Sequence, residues 1–178
     1  MKYIDKNEYL ELVEKFTGKH WDSAGPRWSY HELSAEWASE LISEKVSPNS
    51  VLEIGTMGIG VIHGSMRMDY DAESNNKDWS ISDPNLSVQY DARVSPWPFY
   101  ENQFELGVAL RVFHHLKPNQ EKAFQEMKRV CKRIIIVVPE EDVHPRGISY
   151  NTFIKWNNDI PPLKYMKFKG QLGSAFLF

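Results

Sequence analysis

Residues 51–60 read VLEIGTMGIG, a short apolar run that leads directly into three glycines. A four-residue apolar run of this kind is typical of a buried strand in a parallel sheet. Glycine immediately after a strand permits positive backbone φ angles and lets a ligand approach the main chain closely. The stretch therefore predicts a strand whose carboxyl end borders a binding site.

Six further strands are predicted from apolar or alternating runs elsewhere in the chain. They lie at 65–70, 86–90, 104–110, 133–138, 163–168 and 172–178. A helix is predicted over 119–131, where the apolar residues recur at helical spacing, and a polar loop over 72–84. Because strands alternate with helical segments, we expect a mostly parallel sheet that is covered on both faces.

The N-terminal region predicts two helices that precede the sheet. Their apolar stripes fall at 3–16 and at about 30–45, and the intervening 19–30 is predicted as a loop because it contains Gly25-Pro26. A chain of 178 residues suits one domain. We therefore expect a single domain over 1–178, with a helical segment at 1–46 packed on an α/β core at 47–178.

Aromatic residues are concentrated around the predicted 19–30 loop. They are Trp21, Trp28, Tyr30 and His31. They can pack the N-terminal helices on the sheet, or they can fold across the ligand cleft as a lid. The sequence leaves both roles open.

The composition excludes some classes of partner. The net charge of −3 provides no general basic field for collecting nucleic acid, and no apolar run reaches the length of a membrane span. The one cysteine, Cys131, cannot form an intrachain disulfide, which is typical of a reducing compartment. We expect a cytoplasmic protein with no nucleic-acid or membrane partner, and the oligomeric state stays open.

Polar residues stand at the carboxyl ends of the predicted strands. Asp69 ends the second strand, Asp91 follows the third, and Arg111 with His114 and His115 follows the fourth. In open parallel sheets, ligands bind beyond these ends, where the strand order reverses. These side chains are therefore expected to meet around one site.

The order of several motifs along the chain carries a family resemblance. They are the glycine stretch at 51–60, Asp91-Ala92, the stretch SPWPFYENQFELGVALRVFHHL at 95–116, the helix ending in Lys128-Arg129-Val130, and the apolar strand that runs to Pro139. In this order, over roughly 33–178, they resemble class I S-adenosylmethionine-dependent methyltransferases. The resemblance implies a doubly wound, mostly parallel, seven-stranded Rossmann-like sheet with one antiparallel strand near the C-terminus, and S-adenosylmethionine as cofactor.

The resemblance also implies roles for residues on the first two strands. Gly55 would let the loop pass under the cofactor, and Glu53 would orient that loop or approach the cofactor's amino group. Asp69, with Asp71 as a nearby substitute, would accept hydrogen bonds from the ribose hydroxyls. A carboxylate suits this role because each of its oxygens can take a hydroxyl proton in a charge-assisted hydrogen bond.

Further roles follow for residues on the third and fourth strands. By the same resemblance, Asp91 would accept from the adenine amino group, with Ala92 beside the ring. Leu110 and Arg111 would flank the methionine portion of the cofactor.

The stretch after the first strand departs from the family pattern. Met57 stands where the family loop has its second glycine, or else one residue is inserted there. Three residues, Val61 to His63, separate Gly60 from Gly64. Since two helical turns need about seven residues, the family's first helix is expected to be shortened or missing.

Loss of this helix bears directly on function, because a helix N-terminus offers free N–H groups to an anionic ligand group. Arg111 or Arg67 can supply a cation instead. Two functions are therefore open: a methyltransferase that acts on a small-molecule acceptor, or a degenerate methyltransferase-like binding or scaffold protein.

His114 and His115 are the candidate catalytic residues, since a histidine can take a proton from the acceptor at neutral pH. The alternative is a structural role near the following helix. Adjacent side chains are expected to point in different directions, so no shared metal site is predicted. His63 and His144 are too far apart in the sequence to be assigned to a site.

Overall fold

The computed structural model describes residues 1–17, 24–43, 45–70 and 85–178. The predicted loop at 72–84, Asp71 and Trp21 lie outside these residues. Among the described helices, none combines the length and the apolar character needed to cross a lipid bilayer.

Seven strands and four α-helices are formed by the described residues. The strands are β1 (Val51–Ile54), β2 (Met66–Asp69), β3 (Val88–Gln89), β4 (Leu106–Leu110), β5 (Ile134–Val138), β6 (Lys164–Lys167) and β7 (Ser174–Leu177). The helices are α1 (Lys6–Thr17), α2 (Ala24–Leu41), α3 (Gln120–Val130) and α4 (Tyr150–Trp156).

All seven strands pair in one sheet with the order β3-β2-β1-β4-β5-β7-β6. Strands β1 to β5 run parallel, whereas β7 runs antiparallel to both of its neighbours. The predicted mostly parallel, seven-stranded sheet with one antiparallel strand near the C-terminus is confirmed. The strand order reverses between β1 and β4, which places a ligand crevice at their carboxyl ends.

Both faces of the sheet are covered, which explains the uniformly apolar sequence of β5. Ile134, Ile136 and Val138 belong to the core that includes residues of α3 and α4, whereas Ile135 and Val137 belong to the core that includes residues of α2. All five side chains are buried. Alternate side chains of one strand thus fill two cores, as expected for a doubly wound domain.

Close packing of α3 on β4 depends on Gly107. A Cβ atom at this position would lie 2.7 Å from the Cys131 sulfur and 2.8 Å from the Met127 terminal methyl carbon. Cys131 is buried, and burial raises the pKa of its thiol. The cysteine therefore serves as a small apolar side chain in the core.

The second helix begins earlier than the sequence predicts. Helix α2 starts at Ala24 and ends at Leu41, so the predicted loop at 19–30 is wrong for its second half. Gly25 and Pro26 stand in the first turn, where the N–H that proline lacks would have no partner within the helix. A Gly-Pro pair here begins a helix, and Arg27 consequently lies on a rigid element.

Candidate functional site

A cavity of about 700 Å³ lies at the carboxyl ends of the strands around the β1–β4 reversal. Its walls include all nine site residues predicted from the sequence. They are Glu53, Gly55, Asp69, Asp91, Ala92, Leu110, Arg111, His114 and His115. The structure therefore brings these residues together at one site, while the role of each stays a prediction.

Gly55 is required where β1 enters the loop. Its φ angle is +65°, and a Cβ atom at this position would lie 2.4 Å from the Val112 Cγ2 atom. Both facts exclude a larger side chain, since the backbone is left-handed and the space behind it is filled. Gly55 thus lets the first loop pack tightly against the segment that follows β4.

The connection from β1 to β2 contains no helix over residues 55–65, all of which the structure describes. This confirms that the family's first helix is missing. The buried Glu53 carboxylate organises the connection instead. Its Oε2 accepts from the Val61 N–H at 2.6 Å, and its Oε1 accepts from the Ile62 N–H at 2.9 Å and the Ser65 hydroxyl at 2.7 Å.

Burial of the Glu53 carboxylate removes it from water, which disfavours its charged form. Burial therefore raises the pKa of this carboxyl, and the three hydrogen bonds act in the opposite direction. Glu53 thus binds the end of the loop, and its predicted approach to the cofactor's amino group stays a prediction.

Arg67 lies on the protein side of the same loop. Its guanidinium approaches the Gly58 carbonyl at 3.5 Å, and a Cβ atom on Gly60 would lie 2.6 Å from its Nη2. Arg67 is not among the described residues that line the cavity. It is therefore poorly placed to replace the missing helix N-terminus for a ligand.

The two aspartates differ in how their carboxylates are engaged. Asp69 accepts the Tyr70 N–H at 2.8 Å through Oδ1 and the Met57 N–H at 3.3 Å through Oδ2. Asp91 is bound by the Arg93 guanidinium through both oxygens, at 2.7–3.1 Å. Those hydrogen bonds hold the pKa of Asp91 below its ordinary value. A ligand at Asp91 must therefore share the carboxylate with Arg93.

Arg93 also lines the cavity but was not identified from the sequence. Its guanidinium carbon lies 5.5 Å from the centroid of the Tyr70 ring. The one sequence feature that could have identified Arg93 as a site residue is its position two residues after Asp91, a predicted ligand-binding aspartate.

Cationic and aromatic groups from α2 and from the segment after β4 also line the cavity. Helix α2 contributes Arg27, Tyr30 and His31, and the segment after β4 contributes Arg111. Arg111 has a φ angle of +58° and donates from Nη1 to the Leu172 carbonyl at 2.8 Å. Burial lowers the pKa of its guanidinium. Arg27 was missed because the sequence placed it in a loop.

The two adjacent histidines lie together, so the prediction that they point apart is wrong. Residues Phe113–His115 form a 3₁₀ turn, and the ring centroids of His114 and His115 are 3.8 Å apart. His144, which the sequence assigned to no site, lies 4.9 Å from His114. Within the described residues, no group of three histidine, cysteine or acidic side chains is arranged to hold a metal.

His114 is the buried member of this cluster. Its Nδ1 has no hydrogen-bond partner among the described residues. Burial, followed by the charges of neighbouring basic groups, lowers the pKa of His114 to about 3. The ring is therefore neutral at pH 7 and presents one donor and one acceptor nitrogen.

The described N-terminal aromatic residues pack on one another, and two of them also line the cavity. Trp28 packs on Tyr9 and His31, with ring centroids 5.5 and 6.5 Å apart. Tyr30 and His31 also form part of the cavity wall. The Nδ1 atom of His31 lies 3.2 Å from the Arg27 carbonyl oxygen, and burial lowers the pKa of His31 to about 4.

The buried His31 predicts loss of stability in acid. The pKa of His31 is about 4 in the folded chain and ordinarily 6.5. At a pH between these two values, the unfolded chain binds a proton at this histidine and the folded chain does not. The His31 contribution to the free energy of unfolding should therefore fall by roughly 2 kcal/mol from pH 7 to pH 5. Urea unfolding at both pH values should show a smaller decrease for His31→Gln than for the wild type. Equal decreases would contradict the assignment.

The sequence and fold match known proteins as follows. The family described as "Methyltransferase domain" matches residues 59–136. No protein of curated function matches the sequence. The N-methyltransferase NodS of Bradyrhizobium japonicum, solved with S-adenosyl-L-homocysteine, is 14% identical with a TM-score of 0.57, over 95% of each chain.

Two further solved structures show the same fold. An S-adenosylmethionine-dependent methyltransferase of Thermotoga maritima is 9% identical with a TM-score of 0.56, over 94% of this chain and 96% of its own. A Haloferax volcanii protein, solved in complex with the Trm112 methyltransferase activator, is 13% identical with a TM-score of 0.55, over 95% of each chain. At these identities the structures show a shared fold, and the family match is limited to residues 59–136.

Proposed function

We propose that the chain is a class I S-adenosylmethionine-dependent methyltransferase that binds S-adenosylmethionine and methylates a small-molecule acceptor. The observation that carries the proposal is the meeting of Asp69, Gly55 and Asp91 on the wall of one cavity. These residues come from three different strand ends, and each matches a position of the family's cofactor site.

The chemistry of the cavity suits the adenosine portion of this cofactor. Asp69 offers carboxylate oxygens to the ribose hydroxyls, and Ala92 leaves space for a flat ring beside Asp91. Gly55 exposes its backbone to the cavity, which lets a ligand approach the main chain closely. A volume of about 700 Å³ lies within the range of small-molecule sites, about 300–1,000 Å³.

The remaining groups suit a small acceptor. When bound, S-adenosylmethionine would supply a methyl group: an electron pair of the acceptor bonds to the methyl carbon as the carbon–sulfur bond opposite breaks, which leaves S-adenosylhomocysteine. Alignment of the acceptor then provides much of the rate. The net charge of −3 argues against an extended nucleic-acid acceptor.

His114 and His115 are the proposed residues that act on the acceptor. A pKa of about 3 makes His114 a weak base, so we assign it to positioning the acceptor and not to proton removal. His115 is the more exposed of the pair, although burial and positive neighbours also lower its pKa. We assign proton removal to His115.

A second candidate function is a binding or scaffold protein that retains the fold without turnover. Two observations favour it: the first helix is missing, and Arg93 already occupies both oxygens of the Asp91 carboxylate. Both features lower the number of groups that can receive the cofactor without rearrangement.

Calorimetric titration with S-adenosylmethionine and S-adenosylhomocysteine distinguishes the two functions. A methyltransferase is expected to bind both ligands with Kd values in the micromolar to submillimolar range, as is usual for enzyme substrates. An Asp69→Ala protein of unchanged thermal stability is the matched control and should bind far more weakly. Absence of binding heat at millimolar ligand would favour the scaffold function.

A further inference from the structure

The helix-free connection from β1 to β2 pairs with the first residues of the chain through a short antiparallel bridge. The Ile4 N–H donates to the Val61 carbonyl at 2.9 Å, and the His63 N–H donates to the Lys2 carbonyl at 3.0 Å. Backbone groups that no helix satisfies thus have partners in a segment that is remote in sequence. Residues 2–17, which contain the bridging residues and α1, are called the N-terminal strap below.

A small apolar core also joins the strap to this connection. It contains Ile59 and three buried residues of the strap, Ile4, Tyr9 and Val13. Ile59 lines the cavity, whereas no residue of the strap is among the described residues that do so. The strap therefore packs against the cavity wall without reaching the space that a ligand would occupy.

Tyr9 connects the strap to a second part of the cavity wall. Its side chain is fully buried, and the centroid of its ring lies 4.5 Å from that of His31 and 5.5 Å from that of Trp28, both on α2. His31 lines the cavity as well. One buried tyrosine thus belongs to a core with the first loop and packs against α2.

We propose that the N-terminal strap is a positioning element of the ligand site, which acts through Tyr9 and contacts no ligand itself. This inference rests on the proposed function. Because close-packed interiors transmit displacements, a change in the packing of Tyr9 moves Ile59 and His31, which form part of the cavity wall. Coupling between two sites is reciprocal, so a ligand that requires this wall geometry also stabilises the docked strap.

Hydrogen–deuterium exchange of the wild-type chain tests the reciprocal effect, with and without saturating S-adenosylhomocysteine. We expect amide exchange in α1 to slow by about fivefold or more when the ligand binds, although α1 lies outside the described cavity lining. Helix α4 is the control, because it also contributes no described residue to that lining. If binding slowed exchange in α1 no more than in α4, the inference would be overturned.

A pair of matched variants tests the role of Tyr9 itself. Tyr9→Leu removes the ring from the strap, and Phe153→Leu removes an equally buried ring from α4. We expect the Kd of S-adenosylhomocysteine to rise about tenfold in Tyr9→Leu and to change by less than about twofold in Phe153→Leu. Tyr9→Phe retains the ring and should keep the wild-type Kd. A purely structural role would lower the temperature of thermal unfolding in both leucine variants without separating their Kd values.

The outcomes distinguish this inference from the function that it rests on. Equal Kd values for the two leucine variants, with the ligand bound by the wild type, would overturn the strap's role and leave the proposed function intact. If the wild type binds no S-adenosylhomocysteine, the proposed function fails, and exchange of the Val61, Ile62 and His63 amides without ligand becomes decisive. Faster exchange there in Tyr9→Leu than in Phe153→Leu would uphold the strap as the support of the cavity wall, and equal exchange would overturn it.

Discussion

Glu53→Leu is expected to lower the free energy of unfolding by about 3–5 kcal/mol. The substitution removes the acceptor for the Val61 and Ile62 N–H groups and for the Ser65 hydroxyl, all of which surround a side chain that is 2% exposed. Unsatisfied donors in a dry interior are costly, and leucine cannot replace a single one of these bonds. Urea unfolding followed by tryptophan fluorescence measures the change.

Two further variants make this measurement specific. Glu53→Gln retains one acceptor oxygen but turns an amide N–H₂ toward the donors, so its destabilisation should be intermediate. Glu105→Leu is the control, because Glu105 forms an exposed ion pair with Lys132 at 2.5 Å. Such pairs contribute about 1 kcal/mol or less. If Glu53→Leu lowered the free energy of unfolding no more than Glu105→Leu does, the buried carboxylate would not organise the loop.

The destabilisation should extend to ligand binding. The loop that Glu53 holds contributes Gly55, Thr56, Met57 and Ile59 to the cavity wall. The three hydrogen bonds of Glu53 hold the end of this loop, so their loss should disturb both the fold and the cavity wall.

The sheet and the position of the cavity could be predicted because they follow from local patterns. The apolar run of β5 requires burial on both faces, and parallel strands carry the residues that follow them to a common edge. Asp69 and Asp91 were therefore placed in one site without any knowledge of their contacts. The missing helix was also predictable, because too few residues separate Gly60 from β2.

The features that the sequence did not predict depend on the path of the chain in space. Arg27 lies on the cavity wall because α2 begins at Ala24, so that Gly25 and Pro26 stand in its first turn and not in a loop. His144 lies beside His114 although it belongs to the connection after β5. The path of that connection follows from no periodic pattern in the sequence. The 3₁₀ turn at Phe113–His115 brought adjacent histidine rings together, against the alternation assumed for extended backbone.

Asp69→Ala is expected to weaken the binding of S-adenosylhomocysteine by roughly 100-fold or more, because it removes charge-assisted hydrogen bonds to two ribose hydroxyls. Asp91→Ala should have a smaller effect, since Arg93 already neutralises that carboxylate through both oxygens. Asp142→Ala is the control, because Asp142 is exposed and is not among the described residues that line the cavity. Calorimetric titration measures all three.

A change of ligand separates a direct contact of Asp69 from an effect on the loop, because Asp69 also accepts the Met57 N–H at 3.3 Å. The wild-type protein should bind S-adenosylhomocysteine more tightly than its 2′-deoxy analogue, since the analogue lacks one of the hydroxyls assigned to the carboxylate. In Asp69→Ala this preference should disappear, and both ligands should bind equally weakly. A loop effect would weaken both ligands while preserving the preference, and Asp69 would then support the site without touching the ribose.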